Sequence, residues 1–154
     1  MAEQSYYWGG TTIGDATLAQ YNDDEFSDRW AELFTYDRTT QGVIYTERVG
    51  FTGLLEVTKV DNNNVEVDTG LALVDGKEYR NTAALNVAVG GNGFYRVALR
   101  KTWATQTVRV AILGPQAVTP PSVTQTDGTL WEISLATFEK SGGVIGSIVD
   151  AREY

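Results

Sequence analysis

The sequence predicts a mainly β protein: an antiparallel β-sandwich or partly closed barrel with one N-terminal amphipathic helix. Three observations point there. Short runs alternate apolar and polar residues with the period of two that a half-buried strand requires. Turn signals such as Asp75-Gly76, Gly90-Gly91-Asn92-Gly93 and Gly142-Gly143 separate those runs. The stretch Phe94 to Leu113, FYRVALRKTWATQTVRVAIL, reads as a complete β-hairpin.

That hairpin is the most regular part of the chain. Tyr95, Val97 and Leu99 share one face of its first arm, with Arg96 and Arg100 on the other. Val108, Val110 and Ile112 share a face of the second arm, opposite Thr107 and Arg109. Folding about Trp103-Ala104 pairs Leu99 with Val108, Val97 with Val110 and Tyr95 with Ile112, so all three apolar pairs fall on one face. The tip has no Asn-Gly or Asp-Gly, which predicts a type I based loop of about four residues.

Composition narrows the function. The 154 residues fit one domain, an N-terminal arm and helix (1–40) followed by a β domain (43–154), with no repeat or linker. There is no Cys, so disulfides and thiolate metal sites are excluded. There is no His, which removes the commonest general base and transition-metal ligand. A net charge of −8 argues against nucleic-acid backbones and anionic membranes as partners. The start, MAEQSYYWGG, lacks the basic and apolar regions of a signal peptide, and no run approaches a membrane span. A soluble protein folded in a cytoplasm is expected.

Along the chain, residues 1–20 look extended, with an aromatic cluster Tyr6-Tyr7-Trp8 before Gly9-Gly10. Three large aromatics are costly to leave in water. They pack either on their own domain or on a neighbouring subunit. Asn22 to Tyr36 reads as a helix. Asn22 with Glu25 fits a capping box, acids fill the first turn, and Phe26, Trp30, Leu33 and Phe34 form one apolar face. That face packs on the protein's own sheet or around a symmetry axis.

From Val43 onward strands dominate. Val43–Val49 is a weak strand pattern. Leu55 and Val57 alternate on one side of Asp61-Asn62-Asn63-Asn64, and Val65 and Val67 on the other. The Asx run lacks the ligand spacing of a calcium loop and reads as a hairpin turn. Gly70–Val74 and Lys77–Asn81 flank Asp75-Gly76, a strong hairpin signal. Leu85, Val87 and Val89 form the next strand. Gly114 to Thr129 is a long polar connection holding all three prolines, suited to wrapping a surface. Leu130–Glu139 is a strand with Trp131, Ile133 and Leu135 on one face, and Val144–Val149 closes the sheet.

No catalytic constellation stands out. Glu56, Glu66, Asp68 and Glu78 sit on solvated strand faces, and no nucleophile elbow or phosphate loop is present. The expectation is therefore no enzyme, no cofactor and no metal. Arg96, Arg100 and Arg109 share one hairpin face. They bind acidic sugars or a partner's carboxylates, or they pair with acids on an adjacent strand or subunit. Trp103 at the hairpin tip is a candidate sugar platform. Trp131, set among alternating apolar residues, is read as core.

Five ordered elements carry a family resemblance. They are Val74-Asp75-Gly76 with Tyr79, the Arg96 to Arg100 hairpin arm, Gln125 to Asp127, the Trp131 to Leu135 strand and the Asp150 to Arg152 ending. Over roughly residues 40–153 the chain resembles a module found in structural proteins of tailed bacteriophages. The N-terminal WGGTTIGDA and DDEFSDRWAELF also look like the head of such proteins. In that family the module lies at the N-terminal end of tail-fibre, baseplate or receptor-binding proteins and anchors them to the virion, often as a trimer. Relatives commonly continue into a distal receptor-binding region where this sequence stops. The resemblance therefore implies an adaptor, baseplate, neck or capsid-decorating role in the virion. The implied partners are other copies of the chain, as a homotrimer, and other virion proteins, with Tyr6, Tyr7, Trp8, Phe26, Trp30 and Phe34 as contact candidates. A carbohydrate-binding, receptor-binding module using Trp103 on a host glycan is the alternative.

Overall fold

A computed structural model of the chain describes residues 42–44 and 53–152. Among the described residues twelve strands follow one another: β1 (Gly42–Ile44), β2 (Val57–Lys59), β3 (Asn64–Val67), β4 (Gly70–Val74), β5 (Lys77–Asn81), β6 (Leu85–Ala88), β7 (Gly93–Thr102), β8 (Thr107–Gln116), β9 (Gln125–Thr126), β10 (Leu130–Ser141), β11 (Val144–Ile145) and β12 (Val149–Asp150). The protein is mainly β, and every strand pair is antiparallel. None of the sheets closes on itself. Among the described residues there is no α-helix. The helix expected over Asn22–Tyr36 lies outside them, as do Tyr6, Tyr7, Trp8, Phe26, Trp30 and Phe34.

The strands form three sheets. One has the order β1-β4-β5 and another β2-β3-β6; the largest runs β11-β10-β7-β8, with β9 and β12 also paired to β10. The short strands β9, β12 and β11 thus take up successive stretches of the far edge of β10. Strand pairing needs each backbone group satisfied, and this arrangement leaves the longest strand with little open edge.

The turns follow their residues. Asp75 (φ 43°) and Gly76 (φ 74°) both take left-handed angles, as a type I′ hairpin turn requires, and they join β4 to β5. At the β2–β3 turn the Asp61 carboxylate accepts from the Asn63 amide at 2.6 Å and from Asn64 Nδ2. This is a side-chain-closed turn. Those bonds, led by the Asn63 amide, hold the Asp61 carboxyl below its ordinary value.

The central hairpin corrects the expected register by two residues. Leu99 faces Val110, Val97 faces Ile112, and Val108 faces Lys101. The loop has the anticipated four residues but is centred one position later, on Ala104-Thr105. Trp103–Thr105 makes a 3₁₀ turn, and Gln106 (φ 50°) takes the left-handed position that ends it. A shift of two keeps every side chain on its face, so the apolar pattern alone did not distinguish the registers.

Two further departures concern the long connection and β10. β8 extends through Gly114 and Pro115 to Gln116, with a bulge opposite Tyr95, and β9 lies within the segment read as loop. In β10 Leu135 is an extra residue with no partner on β7. The bulge transfers the inward row from Trp131 and Ile133 to Ala136 and Phe138.

One core cluster joins all three sheets: Val57, Val65 and Val67; Ala72, Val74 and Tyr79; and Tyr95, Val97, Leu99, Ile133 and Phe138. Tyr95 and Phe138 stack with ring centroids 5.3 Å apart. Burial pushes the phenols of Tyr79 and Tyr95 up from their ordinary value. Lysines tie the sheets at their margins. Lys59 donates to the Ile145 carbonyl at 2.6 Å, and Lys140 donates to Asn63 Oδ1, Gly90 O and Val89 O.

Candidate interaction surface

Strands β8, β7 and β10 carry two faces in cross-strand rows. The inner rows are Val108–Lys101–Trp131, Val110–Leu99–Ile133 and Ile112–Val97–Ala136. The outer rows are Arg109–Arg100–Glu132, Ala111–Ala98–Ser134, Leu113–Arg96–Thr137 and Gln116–Phe94–Glu139. The three arginines singled out in the sequence therefore share the outer face, with Arg100 and Arg109 directly opposite. Like charges so placed repel.

Glu132 relieves that repulsion. Its Oε1 lies 2.7 Å from both Nε and Nη2 of Arg100, while Oε2 accepts from the Thr124 amide at 2.7 Å. The carboxylate is buried, and both oxygens have partners. Arg96 donates to the Pro121 carbonyl and the Ser134 hydroxyl, each at 2.6 Å. The connection over 117–124 is thus a strap across the middle of the outer face, pinned by Arg96 and Glu132, with its own Pro121 buried and Ala98 buried on the face it crosses. Two of the three arginines spend their donors inside the fold. Arg109 is exposed and donates to the Val108 carbonyl at 3.0 Å.

The hairpin tip is organised by a lysine that sequence reading passed over. Lys101, 1% exposed, donates to the Asp75 carboxylate at 2.8 Å and to the Asp75 carbonyl at 2.7 Å. Its ammonium sits 4.1 Å from the centre of the Trp103 ring. Trp103 is half-buried against the core, and one ring face is taken by this cation. Trp131 is in the core, and its indole Nε1 has no hydrogen-bond partner among the described residues. The signal for Lys101 was its parity with Tyr95, Val97 and Leu99. Glu132 could not be found that way, because its burial comes from the strap.

A third tie closes the C-terminal end. Arg152 Nε and Nη2 donate to the two oxygens of Asp150 at 2.8 and 2.6 Å, and Nη1 donates to the Leu54 carbonyl at 2.9 Å. Leu54 and Leu55 both take positive φ, uncommon for leucine, so the guanidinium holds a strained approach to β2. No family model, curated protein or solved structure matches the chain.

Proposed function

We propose that the chain is a non-enzymatic virion structural protein of a tailed bacteriophage, a tail, baseplate or fibre-adaptor module that forms a homotrimer and docks on other virion proteins. In this reading the three sheets are the layers of a β-sandwich, and the N-terminal segment supplies one amphipathic helix and an aromatic arm. The observation that carries the proposal is the work done by the residues of the family resemblance. Asp75 holds Lys101. Arg96 and Arg100 hold the strap and Glu132. Asp150 and Arg152 hold the approach to β2. These residues stitch strands together, which supports a scaffold whose ordered sequence elements serve architecture. The half-buried Trp103, with Lys101 over its ring, offers a sugar only part of a stacking platform.

Light scattering and pull-down test the proposal. The expected results are a mass of three times 16.9 kDa and a stoichiometric complex with a tail, baseplate or neck protein of the same phage. A monomer that binds none of these, and that binds glycans in a Trp103-dependent way, would overturn it.

A further inference from the structure

Among the described residues the ten-residue strand β8 pairs with β7 alone and forms one margin of the largest sheet. The longest of the other strands at a sheet margin, β5, has five residues. Backbone parity tells which groups of β8 are open. Trp103 N donates to the Thr129 carbonyl, on the β10 side of β7. Successive residues of a strand turn their N–H and C=O to opposite sides, so Arg100, Ala98 and Arg96 bond to β8. Their partners there are Arg109, Ala111 and Leu113. Val108, Val110 and Ile112 therefore turn their N–H and C=O outward, away from β7. This edge is guarded at both ends. Arg109 folds back, and its Nη1 donates to the outward Val108 carbonyl at 3.0 Å. Pro115 has no N–H to offer. Between the guards Val110 and Ile112 are half-buried against the core, and no described strand covers their edge.

We propose that the edge of β8 takes up an extended segment of a partner protein with the pattern apolar–acidic–apolar, its acid opposite Arg109; the proposal deepens the docking reading and rests on it for the partner. A row of unpaired N–H and C=O groups is matched, residue for residue, by another strand. Side chains opposite Val108, Val110 and Ile112 fall on the core side, which requires them to be apolar. The side chain opposite Arg109 falls on the outer face, in a non-hydrogen-bonded pair, where side chains stand closest. An acid there completes the outer row as acid, Arg109, Arg100, Glu132, and gives each guanidinium its own carboxylate. Glu132 cannot serve both, because its oxygens are spent on Arg100 and the Thr124 amide. Among the described residues Arg109 has no carboxylate partner. On capture Arg109 leaves the Val108 carbonyl for the incoming acid, and that carbonyl becomes an acceptor for the new strand. A second copy's β8 is the poorer occupant. Its sequence, TVRVAILGPQ, holds no acid, so two β8 strands side by side bring two arginines to the seam and nothing to neutralise them.

Residue-resolved amide exchange on the full chain tests the proposal. In the free protein the Val110 and Ile112 amides should exchange about tenfold faster or more than those of Arg109 and Ala111, which bond to β7. Equal protection at all four would mean that the edge is already covered, by the rest of the chain or by a second copy, and overturns the proposal. The probes are a capped peptide, Ser-Val-Thr-Val-Glu-Val-Ser, and a counterpart with Lys in place of Glu, each in millimolar excess. The acidic peptide should slow exchange at Val110 and Ile112 by about tenfold, and the lysine peptide should not. Arg109→Glu, at an exposed position, should keep its β circular dichroism and reverse that preference. No slowing by the acidic peptide, or a preference unchanged by Arg109→Glu, overturns the assignment. A virion-protein complex that forms equally well with Arg109→Glu overturns the edge assignment and leaves the docking reading standing. Charge-dependent capture of the peptide by a chain that binds no virion protein does the reverse.

Discussion

Arg100 and Glu132 face each other across β7 and β10, and one oxygen of the buried carboxylate serves two nitrogens of the guanidinium. On its other side Arg100 faces Arg109. Glu132 therefore neutralises a like-charge pair and, through Thr124, anchors the strap. Its contribution extends beyond an ordinary surface ion pair because the carboxylate, unlike the guanidinium, has no access to water.

Glu132→Ala is expected to destabilise the protein by about 1–3 kcal/mol, the range for leaving buried polar partners unmet. Glu132→Gln keeps an acceptor for the Thr124 amide and should cost less. Glu132→Ala should also make the strap over 117–124 more sensitive to limited proteolysis, and Glu132→Gln less so. Urea unfolding with an unchanged slope measures the first effect. Equal costs for Ala and Gln would show that charge, not strap anchoring, carries it.

Lys101 and Asp75 form a buried ion pair between the hairpin tip and the β4–β5 turn. Asp75→Asn preserves a residue tolerant of the left-handed turn but leaves a buried ammonium without its anion, so a loss of about 3–5 kcal/mol is expected. Lys101→Met strands the Asp75 carboxylate and should cost a similar amount. The double variant should cost far less than the sum, because no uncompensated charge remains. Additive costs in a double-mutant cycle would refute the coupling.

Most of the strand framework was legible in the sequence because local rules decide it. The β4–β5 hairpin lies where Asp75-Gly76 places it, and the Asx run makes a turn, since both depend on neighbours in the chain. The register of the β7–β8 hairpin was not legible, because two registers two residues apart bury the same side chains. The bulge at Leu135 was hidden for a similar reason. Leu135 and Ala136 are both apolar, so nothing in their chemistry marks the change of phase. The outer face was read only in part. Parity put Arg96, Arg100 and Arg109 together, but the burial of Glu132 depends on a strap whose path is fixed by contacts distant in sequence.

Asp150 gives a pH-dependent expectation. The side-chain hydrogen bonds from Arg152 are the largest cause holding its carboxyl below the ordinary 3.8. A depressed folded-state value means the stabilisation is present above pH 3.8 and disappears as pH falls through the folded value. The carboxylate is 54% exposed, so screening limits its contribution to less than about 1 kcal/mol. Asp150→Asn should therefore be slightly less stable than wild type at pH 7, and the gap should close on acidification. The readout is the difference between the two urea profiles, because Asp61 adds its own acid-range dependence to both. A gap that persists undiminished at the acid end would assign the effect to something other than this carboxylate.

Gly70 separates steric from conformational cost. A Cβ on Gly70, in β4, would meet the Leu55 backbone nitrogen at 2.6 Å and Leu55 Cγ at 2.7 Å. The nitrogen cannot yield easily, because Leu55 N donates to the Thr69 carbonyl and Leu55 is already held at positive φ. Gly70→Ala is expected to destabilise by about 1–3 kcal/mol through overpacking. Gly142, in the β10–β11 turn, is the reverse case: its φ is +58° and a Cβ there would meet nothing within 4 Å. Gly142→Ala pays only the left-handed penalty of roughly 1–2 kcal/mol. The two costs overlap in size, so the discriminating variant is Leu55→Ala, which removes the Cγ contact. Its presence should reduce the penalty of Gly70→Ala and leave that of Gly142→Ala unchanged. Equal penalties in both backgrounds would place the Gly70 clash entirely on the backbone.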